Sequence, residues 1–121
     1  MKFYYAPMSC AFATHVVLED AEAKYEAIKI DLKNGDQNKP EFLKINPKGR
    51  VPALVTEKGI LTENPAIMYY ICQLFPEKKL APTDPYELAK AKPLTCIYHQ
   101  QFTLDMLTNI VDTDGRMIKV R

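Results

Sequence analysis

Four features are scarce or missing in this chain of 121 residues, and each absence narrows what it does. There is no surplus of charge of one sign. Sixteen Lys and Arg meet fifteen Asp and Glu, for a formal net charge of +1. With no excess cation to neutralise a phosphate backbone, nucleic acid is excluded as the main partner. Long hydrophobic runs are missing too. The longest nearly apolar stretch, residues 67–75, is too short for a bilayer and contains Gln73. The N-terminus has no apolar run of the signal-peptide kind. Glycine occurs four times, widely spaced, with neither GxxxxGK nor GxGxxG, so no phosphate-cradling loop is expected. The three cysteines are an odd number without CxxC spacing, which argues against a disulfide scaffold or a zinc site. A reducing, cytoplasmic compartment is the simplest expectation. His15 and His99 have no ligand-spaced partners, and no metal is expected.

What is present has an order. Lys2 to Tyr5 is short, aromatic and followed by Ala6-Pro7, which predicts a buried strand ending in a proline loop. Apolar residues at 12, 13, 16, 17 and 21 predict a helix over residues 11–23, starting near Ser9 or Cys10, with Ser9 as a capping residue. Residues 25–32 alternate apolar and polar side chains and predict a second strand. A polar loop follows, then one or two helical turns over 40–45, closed by Asn46-Pro47-Lys48-Gly49. Residues 51–55 and 60–62 predict a hairpin with Lys58-Gly59 near its tip. Asn64-Pro65 predicts a helix start, Asn64 as N-cap and Pro65 as the first helical residue, running to about Phe75. The order βαβαββα predicts an α/β domain with a mixed four-stranded sheet and a thioredoxin-like layout over residues 1–76. Residues 77–85 read as a proline-containing linker, and residues 86–121 as a short helical segment.

Cys10 stands where the first strand hands over to the first helix. The helix N-terminus favours a thiolate there, which predicts a lowered pKa and a reactive thiol. The competing reading is a small buried core residue. Cys72 and Cys96 lie inside helical runs and read as packing residues. Tyr5 reads as core, within reach of the same site. Proline lacks an N–H, so Val51-Pro52 marks a strand edge left open to an extended ligand, although propensity alone favours an ordinary trans bond. Glu63 is either a favourable charge at a helix start or a partner for a ligand ammonium.

Several stretches taken together resemble the glutathione S-transferase family, particularly its bacterial beta class. They are MKFYYAPMSCAFATHVVLE, DLKNG, FLKINPKGRVPAL, LTENPAIMYYI and DPYELAKAK, spread over residues 1–92. The resemblance implies a thioredoxin-like, glutathione-binding domain. In it Cys10 lies nearest the glutathione sulfur and can form a mixed disulfide. Val51 pairs its backbone with the cysteinyl part beside a cis-Pro52. Glu63 and Asn64 hold the γ-glutamyl end, Asn64 through its backbone N–H, and Lys33 reaches the glycyl carboxylate from a loop one residue shorter than in relatives. Glutathione as co-substrate, a small electrophile or disulfide as second substrate, and a homodimer are the implied partners.

The chain departs from the family where relatives carry five or six further helices, because residues 86–121 leave room for one long helix or two short ones. Two alternatives to the transferase therefore stand: a non-catalytic module that binds glutathione or a protein, and a glutaredoxin-like thiol-disulfide reductase. Residues 94–111 hold Ile97, Tyr98, Phe102, Leu104, Met106, Leu107, Ile110 and Val111, more apolar surface than one helix buries on a small domain. A second copy of the chain is the expected cover.

Overall fold

The computed structural model describes residues 1–90, so Cys96, His99 and the apolar run 94–111 lie outside the described residues. Its elements are β1 (Lys2–Tyr5), α1 (Ala11–Asp20), β2 (Glu26–Lys29), a 3₁₀ turn (Asp36–Asn38), α2 (Pro40–Leu43), β3 (Ala53–Thr56), β4 (Gly59–Thr62), α3 (Asn64–Leu74) and a second 3₁₀ turn (Pro76–Lys78). The strands form one sheet in the order β2-β1-β3-β4. β1 runs parallel to β2 and antiparallel to β3, and β3–β4 is an antiparallel hairpin. This is the expected thioredoxin-like mixed sheet.

Strand alternation decides what covers each face. Phe3 is fully buried with Leu18 of α1, Leu54 of β3, and Ile67 and Ile71 of α3. Tyr5 points the same way, its ring stacked on Phe3 at 5.9 Å. His15 of α1 meets both rings, at 5.4 and 5.2 Å, and packs edge-on to Tyr25. His15 is thus one ring of an aromatic cluster. Tyr4, one residue out of phase, faces the opposite side and meets Phe42 of α2 at 5.8 Å.

Two elements are shorter than their patterns predict. α1 stops at Asp20 because Glu22 takes a left-handed φ of 51°. The Glu22 N–H then bonds Glu19 O and the Ala23 N–H bonds Leu18 O, a Schellman closure with glutamate where glycine is usual. Lys78 Nζ holds the Glu22 carboxylate at 2.8 Å. β2 stops at Lys29 because β1, its neighbour in the sheet, ends at Tyr5; one further bond, Ile30 N–H to Tyr5 O, precedes the turn that Asp31 organises.

The start of α3 also differs from expectation. Glu63 occupies the N-cap with φ 73°, while Asn64 is the first helical residue and Pro65 the second. Asn64 is 1% exposed, and its side chain is drawn inward rather than back onto the helix. The Thr14 hydroxyl donates to Asn64 Oδ1 at 2.5 Å, and Asn64 Nδ2 donates to Cys10 O at 2.7 Å. Beyond α3, Asp84 Oδ1 accepts from the Tyr86 and Glu87 N–H groups and caps a helix that begins at residue 85.

Removing the Asn64 amide takes a partner from a buried hydroxyl and from a part-buried carbonyl that keeps the Ala13 N–H, at about 1–2 kcal/mol each. Asn64→Ala is therefore expected to lower unfolding stability by about 2–4 kcal/mol, read from urea midpoints at unchanged m-value.

Candidate functional site

The loop from β1 to α1 is fastened before it reaches the cysteine. Ser9 Oγ donates to Ala6 O at 2.7 Å and accepts from the Ala11 N–H at 3.2 Å. Ser9 is thus the capping residue the sequence predicts. Cys10, already in helical dihedrals, follows it at the head of α1. The Cys10 thiol donates to Val51 O at 3.6 Å. The Val51–Pro52 bond is cis, as the family resemblance implied, and β3 begins one residue later at Ala53.

Three separate stretches therefore converge: the head of α1, the entry to β3, and the head of α3. Cys10 links the first two through its thiol, and Asn64 links the first and third through its amide. Glu63 is carried to the same place as the residue before Asn64. No hydrogen bond or ion pair joins Lys33 to this group among the described residues. It stands in the turn held by Asp31, with its N–H bonded to Asp31 Oδ1 at 3.0 Å.

One charged residue at the site escapes sequence reasoning. Lys48 Nζ lies 2.8 Å from Glu63 Oε1, with both side chains about half exposed. The signal that pointed there was the Asn46-Pro47-Lys48-Gly49 turn, which by itself reads only as the end of a helix. Thr14, completely buried behind Asn64, is likewise invisible in the pattern.

The thiol corrects the sequence expectation. Burial pushes the Cys10 thiol up from its ordinary value, and the Glu63 carboxylate adds to the rise. Hydrogen bonds from the Asn64 side chain and the Cys10 and Ala11 amides act the other way without overcoming burial. A helix N-terminus favours a nearby anion by about 0.3–1 kcal/mol, and half-burial of a thiolate opposes it by more. Donation to Val51 O also favours the neutral form. Burial likewise raises the Cys72 thiol, on the face of α3 toward residues 76–88. Neither cysteine is in a disulfide.

Alkylation of Cys10 by iodoacetamide, followed by peptide mass mapping, is accordingly expected to reach half its limiting rate above about pH 8.5, the value of an unperturbed thiol. Glu63→Gln removes a carboxylate that disfavours the thiolate and is expected to move that midpoint downward. A midpoint below the unperturbed value in the wild type would contradict the burial account.

Known proteins share this fold and much of this sequence. Residues 1–73 match the family profile described as "Glutathione S-transferase, N-terminal domain". Glutathione S-transferase GstA of Escherichia coli O157:H7 is 37% identical over 82 residues, covering 66% of this chain and 41% of its own length. A bacterial beta-class glutathione S-transferase from Sphingomonas chungbukensis superposes with a TM-score of 0.76 at 34% identity, over 95% of this chain and 58% of that one. A sphingomonad glutathione S-transferase solved in complex with glutathione gives 0.76 at 30% identity, over 95% and 60%. The chain spans about two fifths of the length of the curated relatives it matches. On the profile, the shared fold and the aligned identity, this chain belongs to the glutathione S-transferase family.

Proposed function

We propose that the chain binds glutathione across the convergence of α1, β3 and α3, and transfers it to an electrophile or a disulfide with Cys10 at the reacting sulfur. The observation that carries this reading is the joining of Cys10, Val51 and Asn64 by two hydrogen bonds, with Glu63 beside them. Glutathione is an anionic tripeptide with one ammonium. The residues at hand suit each part: the Val51 backbone the cysteinyl unit beside Pro52, Glu63 and the Asn64 N–H the γ-glutamyl end, and Lys33 the glycyl carboxylate. The glutathione-bound relative supports the ligand. A reducing, cytoplasmic setting belongs to the same reading, since Cys10 must be a thiol. Among the described residues no helix is long and apolar enough to cross a membrane.

Two reactions are open to this arrangement. In disulfide exchange the Cys10 thiolate attacks the glutathione sulfur of a mixed disulfide and expels the other thiolate; a second glutathione thiolate then attacks the Cys10–glutathione disulfide, releasing oxidised glutathione and regenerating Cys10. In conjugation the glutathione thiolate displaces a leaving group, such as chloride, from an activated carbon, and Cys10 positions the attacking sulfur without being consumed. The raised Cys10 thiol favours a second reading in which glutathione is held without turnover.

Steady-state rates with a chlorinated nitroaromatic and with a glutathione mixed disulfide separate these cases. Turnover of either substrate is expected. Cys10→Ala is expected to abolish mixed-disulfide formation, seen by intact mass, at an unchanged unfolding midpoint. Retained glutathione with neither activity would leave the binder. Failure to bind glutathione at all would overturn the proposal.

We further propose a homodimer, resting on the apolar residues of 94–111. Light scattering at micromolar concentration is expected to give twice the 13.8 kDa chain mass. A monomer mass would overturn it.

A further inference from the structure

The γ-glutamyl end of glutathione is an α-amino acid, with an ammonium and a carboxylate on one carbon. A carboxylate such as Glu63 answers only half of it. The opposite half suits a cation close to Glu63 in addition to the Asn64 N–H, and Lys48 is 2.8 Å from Glu63.

An ion pair with both members about half exposed adds little to folding stability. The loop that carries Lys48 is nonetheless firmly built. Asn46 is 2% exposed; its Oδ1 accepts from the Lys48 N–H at 3.2 Å, and its Nδ2 donates to Arg50 O at 2.6 Å. The Gly49 N–H closes the same turn onto Asn46 O at 2.9 Å. Gly49 has φ 61°, and a Cβ there would stand 3.1 Å from Gln37 O, so a side chain is disfavoured on both counts. The backbone of Lys48 is thus fixed from both sides, within three residues of Val51. Pro65, the second residue of α3, has no N–H, which removes one donor from the set a helix end normally offers.

We infer that Lys48 is a binding residue for the α-carboxylate of the γ-glutamyl group, paired with Glu63 as the site for its ammonium. The inference rests on the reading that glutathione binds here and extends it to a residue outside that reading. In the bound state Lys48, Glu63, the ligand ammonium and the ligand carboxylate form an alternating set in which every charge has an opposite neighbour. The set selects for thiols that carry an intact α-amino acid end.

Calorimetric titration of the full chain with three ligands tests this. They are glutathione, 4-aminobutanoyl-Cys-Gly, which lacks the α-carboxylate, and glutaryl-Cys-Gly, which lacks the ammonium. Lys48→Met is expected to weaken glutathione about tenfold and to leave 4-aminobutanoyl-Cys-Gly unchanged. Lys48→Arg is expected to stay within about twofold of wild type, because it keeps the cation. Glu63→Gln is expected to weaken glutathione and to leave glutaryl-Cys-Gly unchanged. Unfolding midpoints should be equal for wild type and Lys48→Met. Equal glutathione affinity in Lys48→Met, or an equal loss for both carboxylate-bearing and carboxylate-lacking ligands, would overturn the inference. So would a gain in affinity, which would make Lys48 a competitor of the ligand ammonium for Glu63. A wild-type chain that binds no glutathione would instead overturn the underlying reading of the site, and the inference with it.

Discussion

The amide of Asn64 is the constraint on which the site depends. It reaches across 54 residues to Cys10 O and across 50 to the Thr14 hydroxyl, and so ties the heads of α1 and α3 to one another. Both bonds lie behind the site in buried or part-buried surroundings, where a hydrogen bond is strong and an unmade one is expensive. Since Asn64 is committed inward, the cap of α3 falls to Glu63, and Glu63 is thereby placed at the mouth rather than in the helix. The thiol of Cys10, bonded to Val51 O, completes the connection to the sheet. One side chain therefore sets the relative positions of three stretches that are distant in sequence.

Electrostatics at this junction is a contest between a helix end and burial. The helix end and the surrounding N–H donors pull the thiol toward ionisation, while half-burial and the Glu63 carboxylate hold it back. Burial prevails in the free protein. Position at a helix start is a sequence-level cue for an activated cysteine, but its magnitude is small beside desolvation, and desolvation depends on neighbours that come from elsewhere in the chain.

That distinction explains which parts were legible in the sequence. β1, the hairpin, α3 and the parallel-then-antiparallel sheet follow from alternation, helical spacing and proline placement, all of which are local. Cys10, Val51, Glu63 and Asn64 follow from the resemblance and from helix ends, and the fold brings them together; Lys33 follows from the resemblance and lies in the turn held by Asp31. The misses have two causes. Glu22 ends α1 in a left-handed conformation that the sequence marks with no glycine, and the closure is made by bonds within the helix end itself. Asn64 reads as an N-cap because a local rule favours it there, whereas its partners are Cys10 and Thr14. Lys48 reads as loop polarity because its partner is fifteen residues away. For Asn64 and Lys48 a long-range contact overrides a local preference, whereas at Glu22 a left-handed residue stands where no glycine signals it.

The placement of β1 governs how the domain can assemble. The first strand of the chain is an inner strand, paired on one side with β2 and on the other with β3, where Lys2 faces Val55. Half of its hydrogen-bonding edge therefore waits for residues about fifty positions downstream, and loop closure of that length slows folding relative to local pairing. During synthesis the N-terminal βαβ unit emerges first with one edge of β1 unpaired. The ribosome must expose β3 before that edge is covered, and α3 after it before Phe3 has its lid. An uncovered aromatic strand edge is a template for pairing between chains, and between the emergence of Tyr5 and of Thr56 β1 presents one.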